Sequence, residues 1–414
     1  MHYLITGASG YVGRRTITTL LTQTPPPHII AVDRTPFPTP HPNITPITGD
    51  ITSNSTLDHA FASFPPHSPS HPRVVLHLAS YGMSGPEQVA DEALVAAINV
   101  DATQQLLSRA KAAAVSVFVY VSTYNAVFHG QTLPGVGSGS TPLAPVQSHP
   151  DPYSRTKTRA ESLVRSASSS LPGEMLTLAL RPAAIYGDGE TRHLPRILDM
   201  VRAGLAYLPI GSPDVLCDWV YVDNLVHALS CAVSAGCNPV TRPDVSAAAF
   251  FVSDNYPINN FVFLQTLFAA AGIEHSFSSI YLPTNIAYAL AYLIEQARRG
   301  LIWVSGGRFS FTPILTRAEV NKVGVTHYAT LHREMRLLGY TPIVPFDQAV
   351  AKTGAALAVH APSIAHAQFL RTKRLDTIAL GLGFTAFIGC FIWILLIVWG
   401  PPPVSTPPPD LSLL

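Results

Sequence analysis

The stretch HYLITGASGYVG, residues 2–13, decides the fold. Its first five residues read as a strand, and a helical run follows the glycines to about residue 23. Glycines at 7, 10 and 13 allow a sharp turn, close approach to a pyrophosphate and packing of the helix on the sheet. The helix N-terminus then presents free amides and its positive dipole end to phosphate oxygens. The glycines are spaced GxxGxxG rather than GxGxxG. The stretch nevertheless predicts a Rossmann-type α/β fold, a doubly wound parallel sheet whose first loop binds a dinucleotide. The residues predicted to bind it are Gly7, Ser9, Gly10, Tyr11, Val12 and Gly13.

A second apolar strand is predicted over residues 29–32, and it ends in Asp33. An acidic side chain about 20 residues beyond the glycines hydrogen-bonds the adenosine ribose and disfavours a 2′-phosphate. NAD is therefore the predicted cofactor, with NADP as the less favoured alternative because Arg34 follows directly. Asp50 and Ile51 follow another short strand and are predicted to lie at the adenine.

Two further predicted strands end at the edge of the sheet where the cofactor is expected. Residues 74–78 are apolar and lead into Ala79 and Ser80, which should approach the cofactor because strand ends do so in open parallel sheets. Residues 117–121 are β-branched and aromatic and lead into Ser122 and Thr123. A hydroxyl at this edge is well placed to hydrogen-bond a substrate oxygen. Taken alone, it would be interpreted as a solvated strand end.

The sequence YSRTK, residues 153–157, indicates acid/base chemistry. Asp151 and Pro152 precede a run of good helix formers, so a helix is predicted to begin there. Tyr153 and Lys157 then share one face. A fixed ammonium favours the phenolate of a neighbouring tyrosine, and such a pair can move a proton on or off a hydroxyl. Without the other motifs, a solvated helix would be the better interpretation. The Gly/Ser/Pro-rich residues 133–152 are a candidate flap over the site.

Composition limits the possible partners. The net charge is +1, with 26 Lys and Arg against 25 Asp and Glu, so no bulk field favours nucleic acid. The four cysteines show neither paired metal spacing nor a disulfide framework, which predicts no metal site and a reducing compartment. The chain opens on a strand pattern, so no cleaved signal peptide is predicted. Charged residues are only 12%, which is low for a soluble enzyme and points to a membrane.

Residues 378–399 are predicted to form a single transmembrane helix. They contain no charged residue and, at 1.5 Å per residue, extend roughly 33 Å, enough for a hydrocarbon core of about 30 Å. Arg371, Lys373 and Arg374 precede them, so the large domain is expected in the cytosol and the short tail, 400–414, across the membrane. The alternative, an apolar core helix, would need more chain to pack around it. A shorter apolar stretch, 286–294, is predicted to be a buried or membrane-surface helix that could line a lipophilic substrate entrance.

Together these pieces resemble the extended short-chain dehydrogenases/reductases, in the branch of 3β-hydroxysteroid dehydrogenases and sterol-4α-carboxylate 3-dehydrogenases. The matching pieces, in this order, are TGASGYVG, the strand ending in Asp33, HLAS, VYVSTYNAVF, YSRTK, LRPAAIYGDGE and DWVYVDNLVHAL. The resemblance implies that Tyr153 is the catalytic acid/base and that Lys157 binds the nicotinamide ribose and assists it. It also places Thr123, with Ser122 adjacent, at the family's serine position, and Pro182 beside the nicotinamide.

The resemblance further implies one NAD(P)-binding domain over residues 1–370, with a substrate lobe mainly from 189–215 and 245–370. We therefore predict a membrane-anchored, NAD-dependent oxidoreductase that acts on a hydroxyl or keto group of a steroid or sterol-like lipid, with a homodimer as one option for its assembly. The endoplasmic reticulum is the predicted location. Two alternatives remain at this stage. One is a nucleotide-sugar epimerase or dehydratase of the same fold, and the other is a non-catalytic NAD-sensing scaffold, in which the Tyr153/Lys157 pair would have no use.

Overall fold

The computed structural model describes residues 1–68, 70–202 and 206–367. Met1–Ala356 form one compact unit, and a second unit begins at Leu357. The predicted transmembrane helix at 378–399 and the tail at 400–414 lie outside the described residues. Within the described residues, no helix combines the length and apolar character that a membrane crossing requires.

The strands form where the sequence carries short runs of β-branched and aromatic residues. In chain order they are β1 (His2–Thr6), β2 (His28–Asp33), β3 (Ile44–Thr48), β4 (Arg73–His77), β5 (Val117–Val121), β6 (Leu133–Val136), β7 (Leu176–Pro182), β8 (Ala184–Tyr186), β9 (Trp219–Tyr221), β10 (Ala249–Val252) and β11 (His327–Ala329).

The α-helices alternate with these strands over the first two thirds of the chain and then predominate. They are α1 (Tyr11–Leu21), α2 (Asn54–Ala62), α3 (Glu92–Ala96), α4 (Ala102–Ala112), α5 (Pro152–Ser166), α6 (Leu194–Arg202), α7 (Val222–Cys237), α8 (Arg242–Val245), α9 (Asn260–Ala270), α10 (Thr284–Val304), α11 (Arg317–Gly324), α12 (His332–Leu338) and α13 (Phe346–Ala367).

Seven strands form one parallel sheet in the order β10-β7-β5-β4-β1-β2-β3. The order reverses between β1 and β4, which is the switch point where open α/β sheets bind dinucleotides. The predicted doubly wound Rossmann-type sheet is confirmed. Strand β10 falls in the range predicted for the substrate lobe, yet it is an edge strand of this main sheet.

Each face of the sheet has its own apolar core, because side chains alternate along every strand. From β1, Tyr3 and Ile5 join a core that includes residues of α1 and α7, whereas Leu4 joins one that includes residues of α2, α4 and α5. Leu4 and Ile5 are completely buried. Burying a side chain of this size contributes roughly 1.5–3 kcal/mol.

Two small parallel pairs lie outside the main sheet. Strand β6 pairs with β11, and β8 pairs with β9. The candidate flap at residues 133–152 therefore begins in a strand that is hydrogen-bonded to a segment almost 200 residues later, as when the Leu133 amide donates to the Thr326 carbonyl at 2.9 Å. Its first residues are fixed by that pairing rather than free to close as a flap.

Candidate active site

The loop between β1 and α1 has the geometry that a dinucleotide phosphate needs. Gly7 has φ +73°, a conformation open mainly to glycine, and a Cβ on Gly13 would lie 2.1 Å from the Gly7 carbonyl oxygen. The N-cap of α1 is Gly10, and it makes no side-chain cap hydrogen bond. The first amides of α1 are therefore left to a ligand, and the backbone at this loop fits a pyrophosphate.

Asp33 stands at the carboxyl end of β2, next to this loop. Its carboxylate accepts hydrogen bonds from the Ser9 and Thr35 amides, both at 3.0 Å, and the Ser9 hydroxyl donates to the Thr35 carbonyl at 2.8 Å. The acid is thus tied to the glycine-rich loop rather than directed into bulk solvent. This position fits the adenosine ribose of a dinucleotide.

The other residues predicted at the cofactor differ in their burial and in their hydrogen bonds. The Asp50 carboxylate accepts from the Thr52 amide and hydroxyl, whereas Ile51 is buried in an apolar core. The Ala79 amide donates to the Thr6 hydroxyl at 3.3 Å, which fixes the turn after β4. Tyr11, Val12, Ala79 and Ser80 are half-buried, and Pro182 is buried at the end of β7.

Helix α5 begins where the sequence predicted. Asp151 is its N-cap, and its side chain accepts from the Ser154 amide at 2.8 Å, while Pro152 occupies the first turn. Tyr153 and Lys157 lie one turn apart on the buried face, with 4% and 2% of their surface exposed. The Asp151 cap therefore sets the residue at which this helix begins. It thereby sets the positions of the Tyr153 and Lys157 side chains along the sheet.

Lys157 reaches the end of β5. Its Nζ donates to the Val121 carbonyl oxygen at 2.6 Å and lies 4.0 Å from the centre of the Tyr120 ring. Burial lowers the pKa of Lys157 to about 7, and the carboxylate of Glu161 acts in the opposite direction. A buried ammonium held by a carbonyl and a ring face fits the ribose hydroxyls of a nicotinamide nucleotide, which would add hydrogen-bond acceptors.

The surroundings of Tyr153 raise its pKa, which is the reverse of the expected effect of Lys157. Burial is the largest cause, and Asp151 acts in the same direction. The hydrogen bond with the Thr123 side chain and the charge of Arg192 lower the pKa, but by less. In this structure Tyr153 is consequently a protonated phenol, the form that donates a proton when a ketone is reduced.

The structure separates the two candidate hydroxyls after β5. The Thr123 side chain is the one that interacts with Tyr153 and lowers its pKa, and its hydroxyl accepts from the Asn125 amide at 3.2 Å. Ser122 instead donates to the Glu161 carboxylate at 2.7 Å. Tyr153, Lys157 and Thr123 are thus brought together, while Ser122 is directed to a different group.

Three contributors to this site were missed in the sequence. Glu161 and Arg181 form a buried ion pair with a Nη2–Oε1 distance of 2.6 Å. Asn99 donates to the Thr156 hydroxyl and to the Tyr81 carbonyl, both at 2.9 Å, and so ties the turn after β4 to α5. Glu161 continues the four-residue spacing of Tyr153 and Lys157, and this spacing was the one feature of the sequence that could have pointed to it.

His77 is a packed residue of strand β4. Its two ring nitrogens lie 2.7 Å from the Thr6 hydroxyl and 2.8 Å from that of Thr103. Burial lowers its pKa to about 3, so the imidazole is neutral at physiological pH. It therefore adds no positive charge beside Lys157.

Comparison with known proteins shows the family of the chain. The family model described as "3-beta hydroxysteroid dehydrogenase/isomerase family" matches residues 4–284. The chain belongs to this family. Short-chain dehydrogenase/reductase family 42E member 1 of Bos taurus is 39% identical over 355 residues, covering 83% of this chain and 84% of the relative. The human counterpart is 39% identical over 353 residues, with the same coverage.

More distant relatives match over similar lengths of the chain. Sterol-4-alpha-carboxylate 3-dehydrogenase, decarboxylating, of Saccharomyces cerevisiae is 28% identical and covers 84% of this chain and 96% of the relative. Among solved structures, dTDP-glucose 4,6-dehydratase from Streptomyces venezuelae with NAD bound has a TM-score of 0.62 at 17% identity, covering 88% and 98%. The structural likeness shows the fold. Membership of the family makes the protein an oxidoreductase that depends on a nicotinamide dinucleotide.

Proposed function

We propose that the protein is a membrane-anchored, NAD-dependent oxidoreductase that interconverts a hydroxyl and a keto group on a steroid or sterol-like lipid. The observation that carries the proposal is the meeting of Tyr153, Thr123 and Lys157 at the carboxyl end of β5, on the sheet whose β1–α1 loop fits a dinucleotide. A non-catalytic NAD sensor would have no use for a buried Tyr–Thr–Lys constellation.

In the oxidation direction, Thr123 orients the substrate hydroxyl and Tyr153 accepts its proton. Tyr153 does so as the phenolate, a form that burial disfavours in the cofactor-free protein, and Lys157, which holds the nicotinamide ribose, would supply positive charge that opposes this effect of burial. When bound, the nicotinamide dinucleotide supplies the acceptor for the hydride that leaves the alcohol carbon. The alcohol thus loses one proton and one hydride and becomes a ketone. In the reverse direction the Tyr153 hydroxyl returns the proton to the carbonyl oxygen.

Asp33 supports NAD over NADP. Its carboxylate stands beside the glycine-rich loop, held by the Ser9 and Thr35 amides. A ribose 2′-phosphate placed there would meet a like charge, whereas ribose hydroxyls would find a hydrogen-bond acceptor. Arg34 follows directly and is the residue on which any NADP use would depend.

The name of one relative and the exposed apolar side of helix α10 support a lipid substrate. A relative from Mycolicibacterium neoaurum, named 3-beta-hydroxysteroid dehydrogenase, is 29% identical over 350 residues. Helix α10 exposes Ile286, Leu290 and Leu293 along one side, as a helix in contact with lipid would. Together with the apolar residues 378–399, these features support a site at the membrane, which we propose is the endoplasmic reticulum with the catalytic domain in the cytosol.

The test is a substrate panel offered to membranes from cells that express the full chain. The panel holds 3β-hydroxysteroids, sterols bearing a 4α-carboxylate and nucleotide sugars, each with NAD or NADP, and reduced cofactor is followed by absorbance. Turnover of a steroid or sterol with NAD is the expected result. Turnover of nucleotide sugars alone would contradict the proposal.

A further inference from the structure

Three side chains on one face of α5 hold three successive residues at the end of β5. Tyr153, Lys157 and Glu161 are four residues apart, so they stand above one another on the helix. Tyr153 interacts with the Thr123 side chain, Lys157 donates a hydrogen bond to the Val121 carbonyl oxygen, and Glu161 accepts one from the Ser122 hydroxyl. The first two contacts belong to the catalytic site. The third uses residues to which the mechanism assigns no role.

The Glu161 carboxylate is fully buried, and its close ion-pair partner is Arg181, while the partly exposed Arg165 of the same helix lies farther away, with Nη1 at 3.9 Å from Oε1. Arg181, itself 1% exposed, donates from Nη2 to Oε1 at 2.6 Å and from Nε to both carboxylate oxygens at 3.1 Å. A buried carboxylate without such a partner would be strongly destabilising. Because Arg181 donates from both Nε and Nη2, it fixes the orientation of the carboxylate plane and also balances the carboxylate charge. Glu161 is therefore a rigid acceptor for the Ser122 hydroxyl.

Ser122 is fixed from two sides. Its hydroxyl donates to Glu161 at 2.7 Å, and its amide donates to the Leu180 carbonyl at 2.7 Å, one residue before Arg181. Thr123 follows in an extended conformation, with φ −159° and ψ 153°. Successive side chains of an extended backbone point to opposite sides. Fixing Ser122 at Glu161 therefore fixes the direction in which Thr123 points.

We propose that Glu161, held by Arg181, is a positioning residue that anchors Ser122 and so directs the Thr123 hydroxyl toward Tyr153. This rests on the proposed role of Tyr153 as the acid/base. Ser122 acts through the backbone it shares with Thr123 and does not contact the reacting atoms.

The same carboxylate also faces Lys157. The titratable groups around the lysine ammonium are Glu161 from α5, Tyr120 from β5 and His77 from β4, and Arg181 from β7 is the cation paired with Glu161. Tyr120 is protonated and His77 is neutral, so Glu161 is the negative charge that acts on Lys157. Removing that charge should make Lys157 lose its proton at a lower pH.

The first variant is Ser122→Ala, which leaves the ion pair intact. We expect kcat to fall roughly 10-fold, because Thr123 is no longer held in one direction, and the Kd for NADH to stay within about twofold. Thr123→Ala should lose on the order of 100-fold in kcat. The matched control is Ser166→Ala on the same helix, where the hydroxyl is exposed and bonds only the Ser162 carbonyl. This control should behave as wild type.

The second variant replaces the ion pair as a unit, because Glu161→Gln alone would leave Arg181 buried without a counter-charge. In Glu161→Gln/Arg181→Met, kcat should fall by about as much as in Ser122→Ala, and adding Ser122→Ala should cause no further loss. The alkaline limb of the kcat–pH profile should move to lower pH by about one unit in the pair variant and stay in place in Ser122→Ala.

Wild-type kcat in Ser122→Ala, or additive losses in the triple variant, would overturn the inference while leaving the proposed function intact. A loss in Ser122→Ala as large as that in Thr123→Ala, with a raised KM for the alcohol, would show that Ser122 contacts substrate and would overturn it as well. A wild-type protein that turns over no alcohol in the panel would remove the proposed function and this inference together.

Discussion

Lys157 is a buried cation whose nearest partners are neutral, the Val121 carbonyl oxygen and the Tyr120 ring. Burial lowers its pKa from 10.5 to about 7. Between these two pH values the unfolded chain binds more protons than the folded protein, so this residue makes stability rise with pH. Below pH 7 the ammonium is charged in both states and its burial is a constant cost. A site built to hold a cofactor is therefore less stable without it.

We predict that Lys157→Met stabilises the cofactor-free protein by about 2 kcal/mol at neutral pH. The gain should shrink as pH rises from about 7 toward 10, because the unfolded chain then progressively loses the proton that the folded lysine has already released. Urea unfolding at about pH 7 and about pH 9.5 measures both effects. The control is Lys111→Met on α4, where the side chain is exposed and the expected change is small. A destabilised Lys157→Met protein at pH 7 would contradict this account.

At the residue scale, the candidate site residues could be predicted from the sequence, but not which of two neighbouring hydroxyls faces Tyr153. Tyr153, Lys157 and the Ser122-Thr123 pair were all predicted from motif and spacing. Which of the two adjacent hydroxyls meets Tyr153 depends on Glu161 and Arg181, which come from a helix and from the next strand. A glutamate in a helix looks like a solvated residue until its buried partner is known.

At the element scale, the parallel sheet was predictable because buried strands appear as short apolar runs between glycine-rich turns. The pairing of β6 with β11 was not predicted. These strands have four and three residues, are almost 200 residues apart and carry no apolar run. Pairing of this kind depends on where the intervening chain folds, which local sequence does not encode.

The glycine-rich loop gives an element-scale prediction. Gly13→Ala would place a Cβ 2.1 Å from the Gly7 carbonyl oxygen and 2.7 Å from that of Ala8. Helix α1 must then move away from the loop, so we expect the Kd for NADH to rise more than about 10-fold and stability to fall by about 2 kcal/mol. Fluorescence titration with NADH and urea unfolding report the two effects.

Gly300→Ala is the matched control. It lies within α10, and a Cβ added there meets no atom within 4 Å. Alanine is the better helix former, so stability should stay the same or rise by up to about 1 kcal/mol with NADH binding unchanged. If Gly13→Ala bound NADH as the wild type does, the loop would not be the phosphate site.

At the scale of the whole molecule, the prediction concerns membrane attachment through residues 378–399. Deleting this stretch should release the protein from membranes, whereas the full chain should resist extraction by alkali and by salt. Fractionation of cells expressing each form, followed by blotting, measures the partition. Extraction of the full chain by alkali would show that it does not span the bilayer.

The central claim is that Tyr153 transfers the proton of an alcohol substrate, and the most direct measurement compares wild type with Tyr153→Phe on the best alcohol from the panel. The substitution removes one hydroxyl and keeps the ring, so the account predicts that kcat falls on the order of 1,000-fold while the Kd for NADH is unchanged. A Tyr153→Phe protein that turns over at the wild-type rate would contradict the account.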